Sequence, residues 1–385
     1  MNLAGNWAYP TVVRFGAGRI RELAATVKAV GMLRPLLVTD ARLASMPIAK
    51  RAMDVLADNG ISASMFSDVQ PNPVAANVEA GLKALRCGGH DGVIAFGGGS
   101  SLDAGKVIAF MAGQRRPMWD FEDIDDWWTR ADPAGILPVV AVPTTAGTGS
   151  EVGRAGVITD EATRRKTVIF HPLMLPKTSI CDPELTVGMP PATTAGTGMD
   201  ALAHCLEAYC GSFYHPLADG IAVEGIRLVK ENLLRAHRDG SDLAARAHMM
   251  SAAVMGATAF QKALGAMHAL SHPVGALYDT HHGLTNAVFM PYVLAFNRSA
   301  IDSKIARLAA YLGLEPSFDA FLAWLLALRA EIGVPHTLAG LNVDERQFDR
   351  MSEMAPADPT AGGNPLPIDA AACRRLYHNA YVGAL

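Results

Sequence analysis

The sequence has neither of the cysteine patterns that stabilise small secreted proteins or hold structural zinc. Its five cysteines are odd in number, scattered, and form no Cys-x-x-Cys pair. This argues against a disulfide framework and against a thiolate zinc site. Charged residues are also few, at 18%, and the formal net charge is only −4. That balance gives no reason to expect a nucleic-acid or anionic-membrane partner.

Targeting and membrane-spanning segments are missing as well. The N-terminal MNLAGNWAYP lacks the basic and apolar regions of a secretory signal. No apolar run approaches the roughly 20 residues that span a bilayer. We therefore expect a cytoplasmic protein without a membrane partner. What the chain has instead is a hydrophobic residue at half of its 385 positions, which is enough for two domains with their own cores.

The two halves of the chain differ in composition and in hydrophobic pattern. In the first half, the short apolar runs at Pro35–Asp40, Gly92–Gly99, Leu137–Thr145 and Lys166–Phe170 predict buried strands, and 41–59 and 74–87 have helical periodicity. This alternation predicts an α/β domain with a mostly parallel sheet.

After about Pro190 the sequence becomes rich in Ala, Leu and Met, which predicts an all-α domain. The expected helical segments are Thr193–Tyr209, Leu217–His237, Asp242–Leu270, Ala300–Leu314 and Phe318–Ile332. We place the boundary in the proline-containing DPELTVGMPP, so that the domains cover 1–188 and 189–385. The hexapeptide TTAGTG occurs at both 144–149 and 193–198. We interpret both copies as loops that precede a helix.

A glycine-rich segment, IAFGGGSSLDAGK, runs from a predicted strand into a helix expected to begin near Leu102. Glycines let backbone N–H groups approach an anion, and a helix N-terminus favours negative charge. Gly97 to Ser100 could therefore hold a phosphate. The spacing matches neither GxGxxG nor the P-loop. A plain strand-to-helix turn is the alternative.

Asp40 ends the strand LLVTD, where an acidic side chain could bind a ribose hydroxyl and repel a 2′-phosphate. An aspartate in that position also commonly caps a helix. Together with the glycine loop, it favours NAD(H) over NADP(H). The later loop VPTTAGTGSEVGR, with Thr144 and Thr145, is a candidate for a further wall of the cofactor site.

Candidate metal ligands occur in the second half. Asp200 and His204 are four residues apart and share one helix face. His268 and His272 repeat this spacing, and His282 follows in an expected loop, DTHHG. Each histidine alone is more often structural than a ligand. A carboxylate with several imidazoles suits Fe²⁺ or Zn²⁺, and the density of the pattern favours a metal site.

With these motifs, the sequence resembles the iron-containing (group III) alcohol dehydrogenase family over essentially its whole length. The segments that carry the resemblance are FGAG, GGGSSLDAGK, VPTTAGTGSEV, CDPELTVGMPP, TGMDALAHCLEAY, HALSHPVGALYDTHHG and DPTAGGNP. Several long motifs in the right order make the match specific. The resemblance implies an N-terminal Rossmann-like domain, a C-terminal helical domain and an active site in the cleft between them.

The resemblance also implies roles for individual residues. It assigns the metal to Asp200, His204, His268 and His282, and places His272 beside the nicotinamide and substrate. The remaining assignments concern the cofactor: Gly98, Gly99 and Ser100 on the pyrophosphate, Asp40 on the adenosine ribose, Thr144 and Thr145 near the adenine, and Asp103 of the same glycine motif among the cofactor-binding residues.

The implied reaction is the NAD(H)-dependent interconversion of a primary alcohol and its aldehyde. The metal would act as a Lewis acid on the substrate oxygen, and His272 would exchange a proton. Arg154 and Lys262 could hold an anionic substrate, and the FQKALG segment resembles the 4-hydroxybutyrate dehydrogenase branch. Alternatively, both cations are exposed or pair with acidic neighbours such as Glu151 or Asp279. The enzyme would then act on plain short-chain alcohols.

Other classes of enzyme stay open as weaker hypotheses. A metallohydrolase could use the same ligands but would not need the glycine loop, and a dehydroquinate synthase-like enzyme would match these motifs poorly. We expect a homo-oligomer of unspecified size. The acidic, aromatic stretch Arg115–Trp128 suits either a loop over the cofactor or an oligomer contact, and His281 receives no role.

Overall fold

The computed structural model describes residues 11–385. Its chain divides into two compact units, the first ending at Val187 and the second spanning Gly188–Leu385. No helix within the described residues is long and apolar enough to cross a membrane. The five cysteines are all free thiols.

The first unit is built on a parallel six-stranded sheet with the order β1-β8-β5-β4-β2-β3. A separate antiparallel pair is formed by β6 and β7. The strands are β1 (Val12–Phe15), β2 (Leu36–Val38), β3 (Ser64–Phe66), β4 (Val93–Gly97), β5 (Val139–Pro143), β6 (Ala155–Asp160), β7 (Arg165–Phe170) and β8 (Thr178–Cys181). The helices are α1 (Leu23–Ala29), α2 (Ala41–Ala44), α3 (Pro47–Asp58), α4 (Ala75–Cys87) and α5 (Gly99–Met111).

The centre of this sheet is apolar on both faces. All residues of β4 and β5 are buried, as expected for parallel strands covered by helices on each side. The side chains of α5 from Ser101 to Met111 are buried as well, because this helix packs against β4, β5 and β6. The prediction of a Rossmann-like α/β domain is confirmed.

Some local predictions in this unit were wrong. The predicted strand at Lys166–Phe170 exists, but it pairs with β6 outside the main sheet. The helical stretch 41–59 is split into α2 and α3, because Pro47 begins a new helix after extended Met46. The residue before a proline is disfavoured in helical geometry, so a single helix could not run through this point.

The second unit is helical throughout. Its helices are α6 (Pro191–Cys210), α7 (Pro216–Arg238), α8 (Leu243–Ala259), α9 (Ala266–Tyr278), α10 (His282–Tyr311), α11 (Phe318–Glu331), α12 (Phe348–Met354) and α13 (Ala370–Val382). The predicted all-α domain is therefore confirmed. The predicted single segment Asp242–Leu270 is instead two helices, α8 and α9, separated by a short turn.

The second TTAGTG copy lies inside α6 rather than in a loop. Pro191 at the first turn needs no N–H partner, so the helix can begin there. Its two glycines allow close packing instead. A Cβ atom on Gly198 would stand 2.2 Å from Leu233 Cδ1, and one on Gly196 would stand 2.6 Å from His281 Cε1. The first copy, at 144–149, follows β5 as a loop, as expected.

Candidate metal centre and nucleotide-binding edge

Asp40 and the glycine loop, both predicted to bind the nucleotide, lie where the strand order of the sheet reverses. From β2 the chain moves to β3 on one side, and then to β4 on the other. The carboxyl ends of β2 and β4 thus face a crevice of the type that binds ligands in open α/β sheets. Asp40 follows β2, and Gly98 follows β4.

The glycine loop leaves no room for side chains. Gly97 has φ +145°, a conformation that favours glycine. A Cβ atom on Gly99 would stand 2.5 Å from Thr148 Oγ1, and one on Gly98 would stand 3.3 Å from Thr145 Cγ2. The Thr144 N–H donates to the Gly97 carbonyl at 2.9 Å. The structure therefore brings the threonine loop directly against the glycine loop.

The first turn of α5 has N–H groups for an anion. Gly98, its N-cap, provides no side-chain hydrogen bond, so the N-terminus depends on another partner. The Ser100 hydroxyl hydrogen-bonds to the Pro71 carbonyl. Asp40 accepts the Leu43 N–H at 2.9 Å and caps α2. The capping role considered for this aspartate is thus real.

Asp103 does not lie at this open edge. Its carboxylate is buried and accepts hydrogen bonds from Ser150 Oγ at 2.5 Å and from the Val157 N–H at 3.1 Å. The Lys106 ammonium lies 3.3 Å away and also donates to the Ser150 carbonyl at 3.0 Å. We call Asp103, Lys106 and Glu151 the Lys106 cluster. It joins α5 to the loop before β6, which gives Asp103 a structural role that the sequence did not predict.

Burial governs the ionisation of the Lys106 cluster. It raises the pKa of Glu151 to about 7, although a hydrogen bond to the residue's own backbone and the Lys106 charge act in the opposite direction. Burial also lowers the pKa of Lys106, against the effect of Asp103. Glu151 Oε1 has no hydrogen-bond partner among the described residues.

The predicted metal ligands are brought together in the helical unit. α6 carries Asp200 and His204 one turn apart, and α9 carries His268. One ligand atom from each of these three buried side chains lies within 4.8 Å of the others. His282 is the first residue of α10, not part of a loop. Its Nε2 atom is 3.7 Å from Asp200 Oδ1. We call these four residues the histidine cluster.

A single amide shows how closely the candidate ligand atoms converge. Asn286 Nδ2 lies 2.9 Å from Asp200 Oδ1, 3.2 Å from His268 Nε2 and 3.1 Å from His282 Nε2. An amide nitrogen has two hydrogens, so it cannot satisfy three acceptors. The amide oxygen, Asn286 Oδ1, is buried and has no partner among the described residues.

The charges around the histidine cluster favour a cation. Asp200 of this cluster and the adjacent Glu207 are buried, and the side chain of Asp358, which contacts His272, is only 8% exposed. No hydrogen bond or ion pair in residues 11–385 joins these three carboxylates to Lys or Arg. Burial alone would lower the pKa of His268, but these carboxylates, Glu207 first, outweigh it and raise that pKa. Buried anions need compensation, and imidazole with carboxylate suits Fe²⁺ or Zn²⁺. The residues present therefore fit a divalent metal.

His272, the candidate proton-exchange residue, lies next to this cluster. Its ring stacks on that of His282, with the centroids 5.4 Å apart. Its Nδ1 atom is 2.7 Å from Asp358 Oδ2. Burial alone would raise the pKa of Asp358, but His272 and hydrogen bonds from Thr360 lower it. Asp358 belongs to the DPTAGGNP motif, to which sequence reasoning assigned no role.

The two predicted substrate cations differ in their surroundings. Lys262 is buried and donates to Asp219 Oδ1 at 2.6 Å and to the Tyr209 carbonyl at 3.4 Å. It thus helps to close the last turn of α6. This favours the alternative in which the lysine pairs with an acid, although the acid is neither Glu151 nor Asp279.

Arg154 lies just before β6. Its guanidinium carbon is 5.6 Å from the centre of the Phe170 ring, and it acts electrostatically on Asp123. No hydrogen bond or ion pair of the described residues involves this guanidinium, so its five donors remain available.

The structure shows the surroundings of His281 and of the stretch Arg115–Trp128, neither of which the sequence assigned to a single role. His281 caps α10 by accepting the Leu284 N–H at 3.4 Å. In Arg115–Trp128, Phe121 is fully buried and meets Phe110 edge-on, with the centroids 5.0 Å apart. The stretch is therefore anchored in the core of the α/β unit through an aromatic side chain.

Comparison with known proteins identifies the family. The model for iron-containing alcohol dehydrogenase matches residues 10–183, and the one for the Fe-containing alcohol dehydrogenase family, C-terminal, matches 194–381. The chain belongs to the iron-containing alcohol dehydrogenase family. This confirms the resemblance found in the sequence.

Individual relatives cover almost the whole chain. A 4-hydroxybutyrate dehydrogenase of Cupriavidus necator is 39% identical over 96% of this chain and 97% of its own. The crystal structure of a 1,3-propanediol oxidoreductase has a TM-score of 0.93 at 36% identity, covering 98% and 100% of the two chains. A sulfoacetaldehyde reductase from Bifidobacterium kashiwanohense, solved in complex with NAD⁺, has a TM-score of 0.89 at 29% identity and covers both chains fully. Membership of this family, together with these relatives, supports alcohol/aldehyde oxidoreduction.

Sequence reasoning missed polar residues in both the histidine cluster and the Lys106 cluster. Glu207 lies seven residues after Asp200, on the same face of α6. That helical spacing could have indicated from the sequence that Glu207 lies on the side of the candidate ligands. Asn286 follows His282 by one turn of α10, and Lys106 follows Asp103 by three residues. For these two, no pattern in the sequence distinguishes a functional neighbour from an ordinary helical residue.

Proposed function

We propose that this protein is a metal-dependent, NAD(H)-linked dehydrogenase that interconverts a primary alcohol and its aldehyde. The observation that carries this is the convergence of Asp200, His268 and His282 on one amide nitrogen, in surroundings with an excess of buried carboxylates. Fe²⁺ is the metal that the family favours, and Zn²⁺ has the same preferred ligands. When bound, the metal would stabilise negative charge on the substrate oxygen.

Side chains of the protein itself would transfer the proton. The ionised Asp358 accepts the Nδ1–H of His272, which fixes the tautomer and leaves Nε2 to exchange a proton with the substrate or solvent. The nicotinamide, when bound, supplies or accepts the hydride. We assign catalysis to His272, and positioning of its ring to Asp358.

The cofactor would bind at the carboxyl ends of β2 and β4. The uncapped first turn of α5 suits a pyrophosphate, with Gly98, Gly99 and Ser100 closest to it. Asp40, at the end of β2, would contact the ribose and disfavour a 2′-phosphate. Thr144 and Thr145 pack beside the glycines and would complete the wall. Affinity for NADH well above that for NADPH is the expected result.

The substrate is proposed to be a short aldehyde with an anionic tail, with succinic semialdehyde as the model case. Support comes from the unpaired guanidinium of Arg154 and from the relatives named for 4-hydroxybutyrate and sulfoacetaldehyde. Lys262 contributes less to this proposal, because Asp219 already pairs with it. A general short-chain alcohol dehydrogenase is the second candidate, favoured by the likeness to 1,3-propanediol oxidoreductase.

One assay tests these proposals together. Protein loaded anaerobically with Fe²⁺ is followed by NADH absorbance with succinic semialdehyde and with butanal, beside Zn²⁺-loaded and metal-free samples. Iron-dependent turnover with a higher kcat/KM for the semialdehyde is expected. Equal kcat/KM for the two aldehydes would leave a general alcohol dehydrogenase. No turnover with any metal would contradict the dehydrogenase proposal.

The predicted homo-oligomer also remains a proposal. It is supported by β1, an edge strand of the sheet on which Val12 and Phe15 are exposed. Exposed apolar edge strands tend to pair with other chains. Light scattering of the purified protein would measure the number of subunits.

A further inference from the structure

Glu207 extends the face of α6 that carries two of the proposed ligands. Asp200, His204 and Glu207 follow one another at successive turns of this helix. Glu207 is only 5% exposed, and a buried carboxylate without strong partners would be costly. Its partners are therefore informative about what it does.

Both carboxylate oxygens of Glu207 are directed at the start of α9. Oε2 lies 2.5 Å from His268 Nδ1, and Oε1 accepts the Met267 N–H at 2.6 Å. Gly265, the N-cap of α9, has no side chain with which to accept these first-turn N–H groups. Glu207 therefore fixes the backbone and the ring at the same place in the helix.

The bond to Nδ1 decides which nitrogen of His268 is available. When Nδ1–H donates to the carboxylate, Nε2 carries the lone pair. This is the nitrogen that lies 3.2 Å from Asn286 Nδ2, at the point where Asp200 Oδ1 and His282 Nε2 also converge. A carboxylate on the outer nitrogen also makes a ligating imidazole more basic.

We propose that Glu207 is a positioning residue for the metal centre, which sets the tautomer, orientation and basicity of His268 and thereby the affinity for the metal. This inference rests on the proposed metal site, to which it adds a residue outside the ligand set. Glu207 does not contact the substrate or cofactor in this role, so its effect is measurable without turnover.

The variant Glu207→Gln separates this role from simple packing. Glutamine has nearly the same shape, and its oxygen can still accept the Met267 N–H. Its NH₂ group, however, would face His268 Nδ1 as a donor, which favours the tautomer with the proton on Nε2. A protonated Nε2 cannot bind a metal ion.

The test measures metal binding directly. Zn²⁺ and Co²⁺ affinities are determined by competition with a chromophoric chelator, Co²⁺ absorption reports the geometry of the site, and melting temperature is recorded without metal. We expect Glu207→Gln to raise the metal Kd by about 10- to 100-fold and to alter the Co²⁺ spectrum. The metal-free melting temperature and NADH binding should stay close to those of the wild type.

A matched control uses the next histidine of α9. Asp358→Asn makes the same carboxylate-to-amide change at the Nδ1 atom of His272, which is not a proposed ligand. Its metal Kd should stay within about threefold of the wild type, a difference below 1 kcal/mol. A loss as large as that of Glu207→Gln would point to nonspecific loosening and would overturn the inference.

Other outcomes also decide the question. If wild type binds metal tightly and Glu207→Gln binds it equally well, the inference is wrong, whereas the proposed function stands. A weaker Kd with a much lower metal-free melting temperature would make Glu207 a packing residue, again against the inference. If the wild type binds no metal, both the inference and the proposed metal-dependent function are wrong. If Glu207→Gln does not fold, Glu207→Asp replaces it under the same criteria, because its shorter side chain cannot reach both partners.

Discussion

The two units of this protein each contain a cluster with a buried aspartate, and the clusters differ in what compensates that charge. In the Lys106 cluster, Asp103 faces a lysine ammonium, a serine hydroxyl and a backbone N–H. In the histidine cluster, Asp200 faces an amide and an imidazole. The first therefore contains its own cation, and the second does not.

This difference distinguishes a structural set of charges from one suited to a ligand. A buried ion pair that is complete needs nothing from outside, and removing one partner is strongly destabilising. Carboxylates that lack a permanent cation depend on hydrogen bonds, protons or a bound metal for compensation. We therefore expect substitution of Asp103 to affect chiefly stability, and substitution of Asp200 to affect chiefly metal binding.

The largest effect is expected from Asp200→Asn. Loss of the metal removes Lewis-acid stabilisation worth several kcal/mol, so kcat/KM should fall at least about a thousandfold. The metal-free protein should melt no lower than wild type, because an uncompensated anion has been removed. Metal content, turnover and thermal denaturation in chelator measure this. Metal-dependent turnover within tenfold of wild type would show that Asp200 is not required for the metal, and would contradict the proposed difference between the two clusters.

In the Lys106 cluster, Asp103→Asn should chiefly affect folding. It removes the carboxylate that forms an ion pair with the buried Lys106 ammonium, and we expect the free energy of unfolding to fall by about 3 kcal/mol or more. Adding Lys106→Met should recover most of that loss, because an apolar side chain tolerates burial. Urea denaturation measures the free energy of unfolding of the single and the double variant. A weaker NADH Kd in the folded double variant would instead support the predicted contact of Asp103 with the cofactor.

Glu151 should make stability depend on pH in an unusual direction. Its pKa is raised from 4.5 to about 7 in the folded protein, so between these values the folded state holds a proton that the unfolded state lacks. Stability from this group is thus present at low pH and lost as pH rises to about 7. At about 1.4 kcal/mol for each pKa unit, a shift from 4.5 to about 7 corresponds to a loss of at most about 3.5 kcal/mol.

The variant Glu151→Gln provides the control for that pH dependence. Its free energy of unfolding should change less between pH 5 and about 8 than that of wild type, because the amide does not titrate. Urea denaturation across this range makes the comparison. Parallel curves for the two proteins would show that Glu151 is already ionised when folded.

The smallest effect concerns the two candidate substrate cations. A charge-assisted hydrogen bond contributes about 1.5–3 kcal/mol, so Arg154→Met should raise KM for succinic semialdehyde about tenfold or more and leave KM for butanal unchanged. Lys262→Met should lower stability, because Asp219 and the end of α6 lose a partner, without favouring one aldehyde. Steady-state kinetics with both aldehydes test this. An equal change in both KM values for Arg154→Met would exclude a role in binding the anion.

The proposed ligands were easier to identify from the sequence than the residues proposed to orient them. Asp200 with His204, and His268 with His272, stand at helical spacing in segments of strong helical pattern, so each pair could be placed on one face from the sequence. Glu207 has the same spacing, but sequence alone does not tell whether a third polar residue faces the site or another helix. Asp358, far along the chain, reaches His272 only through folding.

The fold class followed from the sequence, because alternating apolar runs and helical periodicity are local properties that strands and helices must satisfy wherever they pack. The glycine loop and the Asp-x₃-His pair were determined in the same local way. Tertiary structure decided the rest: that TTAGTG at 193–198 packs inside α6, that Asp103 faces Lys106, and that Glu207 binds His268. These depend on which residues distant in sequence become neighbours, and burial then fixes their charges and hydrogen bonds.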